Sequence, residues 1–364
     1  MDNLLYKIAL TKIPKVGAKT ARELVSHCGG VKQIFSATKK QLLHIPGVGM
    51  QIAQSVLKQD VLSIAERELK YIEKHQIQPL FFLDKNYPAR LKHYNDSPVM
   101  LYYKGSADLN HGRIISIVGT RRPTPRGIAN CEQLIADLQP YHPLIVSGLA
   151  YGIDITAHRK SLEVGMETIG VMGHGLQQTY PPEHRRTADN MIQQGGLLTE
   201  YTYEVGIDAR HFPMRNRIIA GICDALVVIE SKNGGGSMIS ANIANGYNKD
   251  VFAYPGRITD KNSEGCNKLI KSHKAALIEQ ADDIAYIMRW EKSDSQRVIQ
   301  KQLFVELSKR EQQIINLLRQ SDYVSIDKLA YEYQISTSEA AAALLELELK
   351  GLVKPQPGNR FVLI

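Results

Sequence analysis

Short apolar runs recur along the middle of the chain, at Ile114–Val118, Leu144–Ser147, Thr168–Met172, Leu197–Glu200, Ala225–Glu230 and Val251–Tyr254. Each is apolar or β-branched through most of its length instead of alternating with polar positions. A helical segment follows each one, near 127–138, 153–164, 183–194, 214–221, 237–247 and 266–272. Strands with no polar face, interleaved with helices, predict a parallel sheet covered on both sides. The expected fold class is therefore α/β, with a doubly wound Rossmann-like parallel sheet core over residues 77–290. The runs Leu80–Leu83 and Met100–Tyr103 are expected to add strands at one edge.

The pattern changes on either side of this core. Residues 1–76 read as short helices joined by glycine turns, and one pattern occurs twice, as Ile13-Pro14-Lys15-Val16-Gly17 and Ile45-Pro46-Gly47-Val48-Gly49. In each, a proline closes one helix, a glycine permits a tight turn, and small residues open the next helix. This predicts an N-terminal helical domain of helix-hairpin-helix (SAM-like) type. Such turns present backbone N–H groups to a phosphate, with Lys15 and Lys19 as accessory cations, or serve only in packing and protein contacts; both readings stand.

Residues 291–303 are polar and read as a linker. Beyond them, over 304–364, three helical periods at Ser308–Gln320, Ser325–Tyr333 and Ser336–Lys350 precede a turn and a short apolar strand. Ser308 with Glu311, and Ser336 with Glu339, have capping-box spacing. A C-terminal winged-helix-like domain is expected. Its third helix carries Glu339, Glu346 and Glu348 against Lys350, which favours protein contacts over a phosphate-lined groove.

Composition narrows the classes. Of 364 residues 43% are hydrophobic and 23% charged, which excludes wholesale disorder. No apolar run approaches the length of a membrane span, so no membrane partner is expected. The start, Met1-Asp2-Asn3, has no long apolar segment behind it, and a cytoplasmic location is expected. The four cysteines are far apart with no C-x-x-C pair, against both a disulfide framework and a zinc site. The net charge is +8, with 12 basic against 6 acidic side chains in residues 1–80 and equal numbers in 301–364. A polyanionic partner is one meaning of that excess.

In an open α/β sheet, ligands sit beyond the carboxyl ends of the strands. The loops there are unusual. Gly119-Thr120-Arg121-Arg122 follows the first core strand and is not a dinucleotide fingerprint; its arginines, at a helix entry, describe a phosphate site. Ser147-Gly148 offers a bare backbone for close approach. Phe212-Pro213-Met214-Arg215-Asn216-Arg217 brings two more arginines, and Gly234-Gly235-Gly236-Ser237 another glycine-rich helix entry. Arg121, Arg122, Arg215 and Arg217 are assigned to phosphates, and Phe212, Tyr201 or Tyr203 to base stacking. Asp154 and His158 lie four apart, but a third metal ligand or a nucleophile is missing, so a structural hydrogen bond is the better reading. With no Ser–His–Asp spacing, Walker lysine or paired carboxylates, neither catalysis nor a cofactor is expected.

Four blocks in this order resemble the signatures of the DNA-processing protein A family (DprA, also called Smf). They are Gly119-Thr120-Arg121-Arg122, Ser147-Gly148-Leu149-Ala150 with Gly152-Ile153-Asp154, Phe212 to Gly221, and Pro255-Gly256 with Gly265-Cys266-Asn267-Lys268. The resemblance implies a bacterial cytoplasmic, non-enzymatic protein that binds single-stranded DNA, protects it during natural transformation and loads RecA recombinase onto it. It also implies a homodimer formed through the Rossmann-like core. The DNA pocket it implies comprises Gly119, Thr120, Arg121, Arg122, Ser147, Gly148, Phe212, Arg215, Asn216, Arg217 and Ser237. The family usually has Ser where this chain has Thr120, and often a small or basic residue where it has Tyr151. The alternative is a nucleotide-binding or nucleotide-hydrolysing α/β enzyme, but the catalytic glutamate such enzymes place after a P-G-G-x-G-T loop is absent here. A sequence-specific regulator acting through the winged helix is disfavoured by that domain's neutral charge.

Overall fold

A computed structural model describes residues 2–58, 60–292, 308–320, 323–350, 352–356 and 360–363. The chain folds as two compact units, residues 1–293 and 294–364. Of the expected linker 291–303, all but 291–292 lies outside the described residues.

The first unit opens on α1 (Asp2–Lys12), α2 (Ala18–Cys28), α3 (Val31–Ser36), α4 (Lys39–Leu43), α5 (Met50–Lys58) and α6 (Val61–His75). The repeated motif builds the same turn twice. Val16 N–H donates to the Ile13 carbonyl and Ala21 N–H to Gly17; at the second site Val48 donates to Ile45 and Ala53 to Gly49. The third position of each motif is left-handed, φ +67° at Lys15 and +78° at Gly47, a region that glycine enters without strain and lysine does not. The helices share one apolar cluster with the first sheet strands, in which Ile8, Leu24, Ile34 and Ile72 pack with Phe81, Met100 and Tyr102. The change from helix to sheet near residue 76 thus falls inside a single compact unit.

The sheet then builds through β1 (Gln78–Phe81), β2 (Met100–Gly105), β3 (Ile114–Val118), β4 (Leu144–Ser147), β5 (Thr168–Val171), β6 (Gly195–Thr199), β7 (Ala225–Val228), β8 (Asp250–Ala253) and β9 (Ala276–Leu277). Its nine strands run in the order β1-β2-β6-β5-β4-β3-β7-β8-β9. Strands β3 to β9 pair in parallel, while β2 runs antiparallel to β6 and β1 to β2, as an added edge. Helices α7 (Pro125–Leu138), α8 (Ile153–Glu163), α9 (Arg185–Gln193), α10 (His211–Ile222), α11 (Gly236–Gly246), α12 (Glu264–Lys271) and α13 (Ala281–Met288) cover it.

Successive side chains on a strand alternate between faces. Ile115 and Ile117 accordingly pack with Leu134, Ala157 and Ile284 of α7, α8 and α13, while Ile114 and Val118 pack with Ile218, Ala241 and Leu269 of α10, α11 and α12. No strand from β3 to β7 has an exposed residue, which is why each reads as a continuous apolar run.

The second unit contains α14 (Lys309–Gln320), β10 (Val324–Ser325), α15 (Ile326–Tyr333), α16 (Thr337–Leu349), β11 (Val353–Gln356) and β12 (Arg360–Leu363). Its sheet runs β10-β12-β11, giving a winged helix around Ile314, Leu329, Leu344 and Val353. Both expected capping boxes form, Ser308 with Glu311 and Ser336 with Glu339. No helix among the described residues is long and apolar enough to cross a membrane.

Candidate nucleic-acid interface

After β3 the chain winds outward through β4, β5 and β6, then returns to place β7 on the other side of β3. The loops following β3 and β7 therefore part to opposite faces, and a crevice opens between them. A cleft of about 610 Å3 occupies that position, walled by Gly119–Arg121 on one side and by Lys232 and Gly235–Ser237 on the other. Phe212, Arg215 and Asn216 from the start of α10 also line it.

The Gly119–Arg122 loop is clamped. The Thr120 amide donates to the Glu230 carbonyl at 2.8 Å, the Thr120 carbonyl accepts from Ile153 N–H at 3.2 Å, and the Arg122 carbonyl accepts from Asn262 at 3.0 Å. The buried Glu230 carboxylate takes the Thr124 amide at 2.9 Å and its hydroxyl at 2.5 Å, and Thr124 in turn caps α7. Two glycines make the packing possible. A Cβ on Gly119 would stand 2.5 Å from Ile153 Cγ1, and one on Gly152, at φ +79°, 2.3 Å from the Thr120 carbonyl oxygen. Arg121 emerges exposed from this clamp, without an ion pair among the described residues, its guanidinium 6.0 Å from the centre of the Phe212 ring.

Arg215 and Arg217, both expected at phosphates, part company: Arg215 lines the cleft and Arg217 does not. Helix α10 begins at His211, three residues earlier than the apolar pattern suggested. Two residues along a helix of 3.6 per turn turn the side chain by about 200°, so the two arginines leave on opposite sides. Arg215 is buried, 5% exposed, lines the cleft and donates to the Val171 carbonyl. Its neighbour there is Asp154, and Gly148 lies against both: a Cβ on Gly148 would sit 2.5 Å from Asp154 Oδ2 and 2.7 Å from the guanidinium nitrogens. Burial draws the Arg215 pKa down to about 10, against the attraction of Asp154, and leaves it a cation at neutral pH. Burial raises Asp154, opposed by Arg215 and by amides of the 148–150 turn.

Arg217 faces away from the cleft. It grips Glu200 with two hydrogen bonds of 2.9 and 2.6 Å and borders a separate groove with Lys19 and Asn95. Among the other expected residues, Ser147 is buried with its hydroxyl on the Ile117 carbonyl, and Ser237 donates to Ser231 Oγ at 2.8 Å. Arg122 is exposed on the outer side of the clamp. Lys15 donates to Gln51, and neither it nor Lys19 reaches the cleft.

Of the rings expected to stack bases, only Phe212 borders the cleft. Tyr201 is stacked on His211 at 4.3 Å, and Tyr203 lies flat on Tyr71 at 4.4 Å. Asp154 and His158 do not meet in the expected hydrogen bond. His158 Nδ1 pairs with Thr168 Oγ1 at 2.7 Å instead, and burial lowers its pKa to about 3, so it stays neutral. No group of three or more metal-ligating side chains occurs among the described residues.

Residues 78–289 match the sequence profile of DNA recombination-mediator protein A. The chain belongs to that family. A DprA winged helix domain matches 302–359, and a helix-hairpin-helix motif matches 8–59. The DNA processing protein DprA of Streptococcus pneumoniae is 36% identical over 262 residues, 68% of this chain and 92% of that protein. Its X-ray structure superposes with a TM-score of 0.65 at 31% identity, covering 79% of this chain and 98% of that one. A structure of Helicobacter pylori DNA processing protein A, whose description concerns its single-stranded DNA binding mode, gives 0.54 at 28% identity, covering 59% and 98%. Protein Smf of Synechocystis is 28% identical over 392 residues, 98% of both chains.

The sequence reading of this DprA-family cleft passed over Lys232. It is an exposed cation across the crevice from the arginine loop, just before the glycine turn that opens α11. Its signal was a cation between an apolar strand and three glycines.

Proposed function

We propose that this chain binds single-stranded DNA in the crevice at the carboxyl edge of its sheet and acts as a recombination mediator. Supporting it most directly are Arg121 and Lys232, two exposed cations on the loops after β3 and β7 that line one cleft, with the Phe212 ring beside Arg121 at its wall. A positive groove with a ring for stacking suits a strand whose bases are free to turn outward. Gly235 and Gly236 at the entry of α11 leave backbone room for a phosphate. The described H. pylori relative binds single-stranded DNA, which points the same way. On this reading the cleft carries strands rather than transforming them. The chain works in the bacterial cytoplasm as a homodimer, holds DNA entering by transformation, and delivers it to RecA recombinase.

The test is fluorescence anisotropy of a labelled oligo(dT) and of a matched duplex over a salt series, for wild type, Arg121→Ala and Lys232→Ala. The reading expects salt-sensitive preference for the single strand, weakened in each variant. Equal affinity for the duplex, or unchanged binding in both variants, overturns it. Recombinase delivery is read separately, as the rate of RecA filament formation on strands coated with single-strand binding protein.

A further inference from the structure

A second groove, of about 510 Å3, opens on the outer side of the arginine clamp. Arg121, Arg122, Pro123, Ile128, Tyr151 and Ile155 line it, and Arg121 alone belongs also to the main cleft. Tyr151 is 43% exposed, and its ring forms part of the groove wall. It is nevertheless fixed at both ends. Its hydroxyl donates to Glu183 Oε2 at 2.9 Å and its ring meets His184 edge-on at 5.0 Å. Its backbone runs into Gly152, packed against the Thr120 carbonyl, which accepts from the next amide, Ile153 N–H.

A ring that is exposed but already immobile loses little entropy when something stacks on it. Beside it stand two exposed guanidinia, Arg121 and Arg122, without ion pairs among the described residues. The one anion at the ring, Glu183, sits at its hydroxyl end. A π-face flanked by cations on one side and an anion on the other matches a nucleotide, with a base for the face and a phosphate for the arginines.

We infer that this groove is a second nucleotide site on the DNA path, where the strand leaves the main cleft across Arg121, stacks a base on Tyr151 and sets the adjoining phosphate against Arg122. The inference rests on the single-strand reading above and adds to it a direction of exit. Arg121 is the shared contact, so its loss weakens strands of every length. Tyr151 and Arg122 matter only to strands long enough to reach past the cleft.

The experiment is a length series of labelled oligo(dT) strands titrated against wild type, Tyr151→Ala, Tyr151→Phe and Arg122→Ala. The expected result is equal affinity of all four proteins for the shortest bound strands. On longer strands Tyr151→Ala loses about ten-fold, and Tyr151→Phe keeps wild-type affinity because the stacking face remains. A strand carrying 5-bromodeoxyuridine, irradiated in the wild-type complex, is expected to cross-link to the peptide containing Tyr151. Wild-type binding that Tyr151→Ala leaves unchanged at every length, or cross-links confined to other peptides, overturns the second site while the main cleft stands. A wild-type protein that binds no single strand removes both.

Discussion

The backbone amide of Tyr203 donates to both carboxylate oxygens of Glu68, at 3.3 and 3.1 Å, and so ties the last N-terminal helix to the loop that joins β6 to α10. Around that bond Lys12 reaches Thr202, Arg67 reaches Glu204 at 3.0 Å, and Tyr71 stacks on Tyr203. Further along the same loop Ile207 and Ala209 line the main cleft. The N-terminal helices thus brace one cleft wall from behind.

Burial pushes the Glu68 carboxyl up to about 7, against the pull of the Tyr203 amide and Lys12. Its folded pKa is raised above the unfolded value, so the folded state holds the extra proton between about 4.5 and about 7, and stability falls as pH rises through that window. His158, kept neutral by burial with a pKa of about 3, slopes the other way below its unfolded value. The clean measure is therefore the difference between wild type and Glu68→Gln in chemical denaturation. The variant is expected to gain on wild type from pH 5 to pH 8, by on the order of 1–2 kcal/mol after allowance for solvent screening. A constant difference over that range contradicts the assignment.

Gly148→Ala places a methyl between Asp154 and Arg215, where no room exists. Separating a buried charge pair or removing one partner costs about 3–5 kcal/mol. Gly148→Ala and Arg215→Ala are both expected to lower the denaturation midpoint strongly. Arg215→Met with Asp154→Leu, which removes both charges, is expected to recover much of the loss.

Arg121 and Arg217 are expected to separate function from stability. Arg121→Ala and Lys232→Ala each reduce the slope of log affinity against log salt by about 0.7, one phosphate for a single strand, and leave the fold intact. Arg217→Ala leaves that slope unchanged and destabilises by ~1–3 kcal/mol, because Glu200, 15% exposed, loses its bidentate partner. Anisotropy and denaturation on the same preparations decide it.

At the first hairpin Lys15 adopts the left-handed backbone that its counterpart Gly47 adopts without a side chain. Such a conformation costs a non-glycine residue roughly 1 kcal/mol. Lys15→Gly is expected to be neutral or slightly stabilising, and Gly47→Ala destabilising by ~1 kcal/mol, measured by thermal unfolding.

The sequence by itself determined what depends on neighbours within a few positions. Strands buried on both faces are apolar through most of their length, so β3 to β8 were visible as runs, and the helices between them called for parallel pairing. The capping boxes at Ser308 and Ser336 were visible because each closes over three residues. The glycine loops were visible as loops, and the parallel sheet places them at one edge.

Only the tertiary structure decided which side chains meet across that edge. Arg215 and Arg217 look alike in the chain, yet one lies buried against Val171, 44 positions earlier, and the other is held by Glu200 outside the cleft. Tyr203 was a free ring until α6 supplied Tyr71, while Lys232 became a cleft residue only when β7 settled beside β3. The physical reason is range. Hydrophobic period and capping act through local geometry, whereas a cation's pairing, a ring's exposure and a carboxylate's pKa follow from long-range packing that brings distant segments within a few ångströms.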